Sequence, residues 1–266
     1  MTLEEYFGLR KLPFPKAATD EALLMTPAIE HVLNRLTFAL RRDTIALLAA
    51  ESGCSKSTVL SLFAKSLDAA SYSILATSLT TLSPFSFISH LVATTGLPGR
   101  RFKGETAAAL LMHLRAQPRR TVILVDEAHL LPDSSLEDLR LLTADDLDRH
   151  SPFALILVGQ PILRDRIAEP QHYALWQRIG VRLRLRPLTE DEVQLFLDRH
   201  IKAAGYRKKT SLFQPHAVAE IFHHSRGIPR LVQNIALDAM FDAMTADKKT
   251  VDAEAVGHAI VDMEAD

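Results

Sequence analysis

Apolar positions along this 266-residue chain change their spacing several times, and each change marks an element. Ile29, Val32, Leu33, Leu36 and Leu40 recur three or four residues apart, the spacing of one buried helix face, after Thr26-Pro27, which suits a helix start. Short apolar runs then appear at Ile45–Ala49, Thr121–Val125 and Pro152–Val158, and Tyr72–Thr77 reads as a further strand. Runs without a polar face suit strands buried on both sides of a parallel sheet. Helical stretches separate them: 56–67, a helix capped by Ser83-Pro84 and running to about Thr94, Glu105–Gln117, and Leu136–Leu142. Val181-Arg-Leu-Arg-Leu-Arg186 alternates strictly and predicts a final, half-exposed strand. From Thr189 onward the pattern is helical, opened by Thr189-Glu-Asp-Glu192 as a capping box. Strands alternating with helices predict an α/β domain at 28–187, followed by a small all-helical domain at 188–266, with the boundary near Pro187-Leu188. Residues 1–27, with Tyr6-Phe-Gly-Leu9 and Leu12-Pro-Phe-Pro15, are too aromatic for a disordered tail and are expected to wrap the core as an arm.

Two of the strands end in chemistry. The run from Thr121 stops at Asp126-Glu127, and the carboxyl ends of strands are where open α/β sheets bind ligands. Asp126 is then placed to hold Mg²⁺ and Glu127 to orient or deprotonate an attacking water. An acidic helix start is the plainer alternative, because carboxylates suit the N-terminal end of the helix dipole. Upstream, Ala50-Glu-Ser-Gly-Cys-Ser-Lys-Ser-Thr58 lies between a strand and a helix, the layout of the phosphate loop Gly-x-x-x-x-Gly-Lys-[Ser/Thr]. Lys56 falls where the β/γ-phosphates are met and the Ser57 hydroxyl where Mg²⁺ is met. Backbone N–H groups of Gly53, Cys54, Ser55, Lys56 and Ser57, with the following helix start, would cradle the anion. The two glycines of the pattern are here Ala50 and Ser55. Ser55 is the consequential change, since a side chain enters a crowded cradle where glycine permits unusual dihedrals. Nucleotide binding is expected; fast hydrolysis is not.

Charge and composition narrow the class further. A net charge of −1 gives no global pull toward nucleic acid or acidic membrane, so any such partner must meet a local patch. The single cysteine, Cys54, excludes an internal disulfide and suits a reducing compartment. His223-His224 reads as a helix-end pair rather than a metal site. No apolar run approaches membrane-spanning length and Glu4 and Glu5 stand where a signal peptide would be basic, so a soluble cytoplasmic protein without membrane contact is expected.

Several polar residues are further candidates. Gln160 ends a strand, where its amide could touch a γ-phosphate or simply precede a turn at Pro161. Arg178 has no evident partner in its own subunit and could reach a neighbour's nucleotide, or be a surface helix residue. Arg230, in Gly227-Ile-Pro-Arg230, could pair with phosphates or decorate a helix N-terminus, where a cation is poorly placed. Arg100, Arg101 and Lys103, in a glycine-flanked loop, are the first candidates for a DNA backbone contact, and the stripe Arg182, Arg184 and Arg186 the second.

The phosphate loop, Val-Asp-Glu-Ala-His-Leu-Leu, Val-Gly-Gln-Pro-x-Leu-Arg, Arg-Ile before a basic strand, and Ser-Arg-Gly-Ile-Pro-Arg-Leu together resemble AAA+ ATPases of the ExeA/GspA type. The resemblance spans nearly the whole chain. It implies a P-loop AAA+ parallel sheet sandwiched by helices with a helical lid. It implies ATP and Mg²⁺ at Lys56, Ser57 and Thr58, with Asp126 and Glu127 as the acidic pair. Gln160 becomes first sensor, Arg178 arginine finger and Arg230 second sensor. Because the chain stops just after the lid, the soluble branch akin to the TniB, IstB and MuB transposition helpers is expected. Its members form rings or helical filaments on double-stranded DNA and recruit a transposase. The alternatives are a soluble relative of the secretion ATPase, or a pseudo-ATPase that assembles without nucleotide.

Overall fold

The computed structural model describes residues 1–15, 21–144 and 151–265, which fall into two compact units. One comprises Ala28–Ser52 and Val59–Leu185. Its centre is a five-stranded, all-parallel sheet of β1 (Ile45–Ala49), β2 (Tyr72–Thr77), β3 (Arg120–Val125), β4 (Ala154–Gly159) and β5 (Ile179–Arg184), in the order β2-β3-β4-β1-β5. The three inner strands are apolar on both faces and almost wholly buried, as parallel strands between helices must be. β5 is an edge strand and alternates buried with exposed along its length, the half-buried alternation expected there.

Helix α2 (Pro27–Arg41) precedes β1, and helices α3 (Lys56–Ser66), α4 (Pro84–Thr94), α5 (Lys103–Ala116) and α6 (Asp133–Thr143) lie in the connections from β1 through β4. Phe87 and Leu91 of α4, Leu110 of α5 and Leu136 of α6 join Leu47, Ile123 and Leu157 in one apolar cluster. Each fully buried side chain of this kind contributes roughly 1.5–3 kcal/mol.

Three features differ from expectation. α5 begins at Lys103, inside the expected loop, because the Thr106 hydroxyl and N–H both bind the Phe102 carbonyl. Two short helices, α7 (Pro161–Ile167) and α8 (Tyr173–Arg178), occupy a stretch for which the pattern gave none. Finally, β5 starts at Ile179 rather than Val181. The Thr44 hydroxyl accepts from Gly180 N–H at 2.9 Å, and a Cβ at Gly180 would lie 2.3 Å from that same oxygen. Glycine therefore lets the strand begin two residues early.

The second unit comprises Met1–Pro27, Gly53–Thr58 and Arg186–Asp266. Its helices are α1 (Leu3–Phe7), α9 (Glu190–Ala203), α10 (Pro215–Ser225), α11 (Pro229–Thr245) and α12 (Ala253–Ala265). α1 and α9 each open with a complete capping box, Thr2/Glu5 and Thr189/Glu192. Phe7, Leu9 and Phe14 from the N-terminal segment pack in one core with Leu197, Phe213, Ile221 and Ile235. Backbone bonds fasten that segment too: Arg10 N–H donates to Ala204 O at 2.7 Å. Between α10 and α11 the chain turns through two left-handed residues, Arg226 (φ 50°) and Gly227 (φ 71°).

Candidate functional site

Within the helical unit, Gly53–Thr58 forms a loop entering α3. Gly53 (φ 82°) and Ser55 (φ 61°) are left-handed while Cys54 between them is not. That alternation turns successive N–H groups to one side, the concave nest that binds anions. The Ser55 position is thus one where the phosphate-loop pattern has a physical need for glycine, and serine there costs about 1–2 kcal/mol. Cys54 is buried, as a small filler would be. Lys56 is 7% exposed, whereas the Ser57 side chain is exposed beside it. Thr58 is half-buried in the same first helical turn.

Arg230 is brought to this loop. Its N–H donates to Gly53 O at 3.3 Å, and a Cβ on Gly53 would fall 2.9 Å from Ile228 Cγ2 and 3.0 Å from Arg230 Cβ. Gly53 therefore serves both its own dihedral and this close approach. The nest, a helix start, one buried ammonium and an exposed guanidinium together fit a polyphosphate, and the Ser57 hydroxyl is a donor suited to a hard cation.

In the sheet unit, the carboxyl ends of the strands lie level: Val125 pairs with Thr77 and Leu157, and Ala49 with Gly159. Asp126 and Glu127 follow β3 and Gln160 follows β4, so all three stand at one end of the sheet. Asp126 Oδ1 accepts the Glu127 N–H at 2.8 Å, and the Thr80 hydroxyl donates to Glu127 O at 3.0 Å. Glu127 itself is left-handed (φ 52°) and leads into a 3-10 turn, Ala128–Leu130. Gln160 stands at the start of α7, where its side chain makes no capping bond. Among the described residues no cluster of three or more His, Cys, Asp or Glu could hold a metal ion.

Arg178 does have partners in its own chain. Its guanidinium donates to Arg140 O and to the Thr143 hydroxyl, both at 3.4 Å, because α6 and α8 pack together. Lys103 is also paired, with Asp138 Oδ2 at 2.6 Å, and starts a helix. Arg100 and Arg101 are exposed, Arg101 lying 5.5 Å from the ring of exposed Phe102. The arginine stripe is broken up. Arg182 lies over Trp176 at 3.9 Å, Arg184 is exposed, and Arg186 falls beyond β5 and pairs with Glu192 at 2.6 Å.

Residues 40–167 match the family described as AAA domain. They have the AAA fold. General secretion pathway protein A of Aeromonas hydrophila is 31% identical over 248 residues, which are 90% of this chain and 44% of that protein. The chain thus spans less than half the length of that curated relative. Cdc6p from Pyrobaculum aerophilum shares the fold at a TM-score of 0.67 and 19% identity, covering 93% of this chain and 68% of that one. The Aeropyrum pernix ORC1 protein in complex with DNA gives 0.68 at 18% identity, covering 92% and 68%. The Thermotoga maritima RuvB Holliday junction branch migration motor gives 0.56 at 20%, covering 87% and 68%. No described helix is long and apolar enough to cross a membrane.

Sequence reasoning gave no role to His129, Arg166 or Thr80. His129 Nδ1 lies 3.5 Å from Glu127 Oε2, and Arg166 donates to His129 O at 2.8 Å. The one sequence signal was the histidine two residues beyond Glu127, inside a turn too tight for the pattern to resolve.

Proposed function

We propose that this chain is an ATP-dependent switch whose AAA domain binds and slowly hydrolyses ATP and assembles in several copies. The observation that carries it is the left-handed pair Gly53 and Ser55 leading into buried Lys56, with Arg230 held against the same loop. Lys56 and the loop N–H groups neutralise the phosphates, and Arg230 adds a second cation. Ser57 and Asp126 are the residues that would hold Mg²⁺, which supplies charge neutralisation on the phosphate oxygens. Glu127 orients the attacking water, whose oxygen bonds to the γ-phosphorus as the bond to ADP breaks. Gln160 contributes an amide at that end of the sheet. Ser55 makes turnover slow. Arg178 acts between copies once its weak bonds to Arg140 and Thr143 are exchanged.

The partner class follows from two observations. Identity of 31% across 90% of the chain supports a module allied to the secretion pathway ATPase. Exposed Arg100 and Arg101 beside Phe102 support a second reading, a DNA-bound regulator that recruits a transposase, because arginines with an adjacent aromatic suit nucleic acid. Calorimetric ATP titration of wild type and Lys56→Ala, with phosphate release by Glu127→Gln, tests the enzymatic part. Lys56→Ala should abolish binding, and Glu127→Gln should bind but stop turnover. ATP affinity equal in wild type and Lys56→Ala would refute the reading. Size measurement with a non-hydrolysable ATP analogue, with and without duplex DNA, tests assembly: a monomer under every condition would reject it, and assembly indifferent to DNA would favour the secretion-allied module.

A further inference from the structure

We infer that His129 is a positioning residue that holds the Glu127 carboxylate through Nδ1; this rests on the reading of Glu127 as the group that orients the attacking water. His129 Nδ1 lies 3.5 Å from Glu127 Oε2, a little beyond a formed hydrogen bond. That nitrogen is buried and bonds to nothing else. A buried donor left without a partner costs about 1–3 kcal/mol, so the contact with Glu127 gains by closing.

The main chain of both residues is already fixed. Glu127 is held through its N–H by Asp126 and through its carbonyl by Thr80. His129 O receives Arg166, which is itself anchored to Asp133 at 2.9 Å. Asp133 in turn meets buried His172 at 3.0 Å. Only side-chain torsions remain free, and a small rotation of Glu127 suffices.

The opposite wall is specific as well. A Cβ on Gly159 would lie 3.2 Å from His129 N and 3.3 Å from His129 Nδ1. The last residue of β4 therefore makes the space that the imidazole occupies. His129 is 10% exposed and Glu127 37%, so the imidazole is fixed in the wall while the carboxylate reaches solvent. Glu127 also sits at a left-handed φ of 52°, an uncommon backbone for a non-glycine residue. Such a conformation persists where the surroundings over-determine it. The arrangement keeps the carboxylate from wandering among rotamers, so fewer encounters with water are wasted.

Three substitutions separate positioning from packing. Asn at 129 places an amide N–H near the position of Nδ1, Gln carries its amide past it, and Leu keeps bulk without a donor. His129→Leu and His129→Gln should lower kcat for ATP about tenfold or more with KM within about twofold, while His129→Asn stays within about threefold of wild type. Thermal melting and calorimetric ATP affinity accompany each variant; should Leu fail to fold, the Asn and Gln pair still decides. Wild-type kcat in folded His129→Leu, or equal slowing by Asn and Gln, would overturn the inference while Glu127→Gln remains inactive. If wild type shows no turnover, or Glu127→Gln matches it, the reading of Glu127 itself fails and the role of His129 with it.

Discussion

Buried His200 makes the helical unit sensitive to mild acid. It is 2% exposed, its ring centre 5.0 Å from that of Phe14 and 4.4 Å from that of Phe196. Its Nδ1 is buried without a hydrogen-bond partner, and burial pushes the pKa from 6.5 down to about 4. The sign follows from which state takes up the proton. Between pH 6.5 and about 4 the unfolded chain protonates His200 and the folded chain does not. Stability is therefore complete above pH 6.5, falls as pH drops, and stops falling below about 4. The loss is about 2 kcal/mol at pH 5 and about 3 kcal/mol at its limit. His200→Leu keeps similar volume and removes the proton site. Urea unfolding followed by far-UV circular dichroism, at pH 7.5 and pH 5, measures both proteins. At pH 7.5 the two should differ by no more than about 1 kcal/mol, since lost stacking offsets removal of the orphaned nitrogen. At pH 5 the variant should gain about 2 kcal/mol relative to wild type. Carboxylate titration is common to both and cancels in the comparison. A stability difference independent of pH, or a variant more acid-sensitive than wild type, would refute the reasoning.

Other consequences are more local. Gly227→Ala should destabilise by about 3 kcal/mol or more in the same unfolding assay, since its Cβ would fall 2.0 Å from Leu188 O at a φ of 71°. Ser55→Gly relieves a left-handed serine, so it should tighten ATP in calorimetry and raise phosphate release; unchanged affinity would show the serine is tolerated. Asp43→Ala leaves half-buried Arg120 without its ion pair and frees Ser151 N–H, and should cost about 1–3 kcal/mol in thermal unfolding. If the chain binds duplex DNA, Arg100→Ala with Arg101→Ala should reduce the salt slope by about 2. Lys103→Ala, already neutralised by Asp138, should barely change that slope, and an equal effect of all three would reject this assignment.

Much of the architecture was legible because it depends on short-range order. The apolar run at Ile45–Ala49 and the segment Tyr72–Thr77 are strands with those bounds, and Ser83-Pro84 and Thr189-Glu-Asp-Glu192 begin helices as capping chemistry requires. Burial on both faces leaves the continuous apolar run of β1, whereas edge strand β2 is partly exposed, and a cap is written within four residues, so β1 and the caps need no knowledge of distant partners. The strand–loop–helix setting of Lys56 and the strand-end position of Asp126 and Glu127 are local in the same way. Short α7 and α8 escaped because six or seven residues give less than two turns of periodicity. Who meets whom was decided by packing. Arg178 and Thr143 stand 35 positions apart, as do Lys103 and Asp138, and Gly53 meets Arg230 across a far longer stretch. The pairing of His129 with Glu127 spans two residues, yet it also depends on the tertiary fold. Arg166 from α7 and the missing side chain at Gly159 set where that imidazole lies. Propensity and pattern act along the chain, whereas a side chain's partner depends on which segments the buried core forces together.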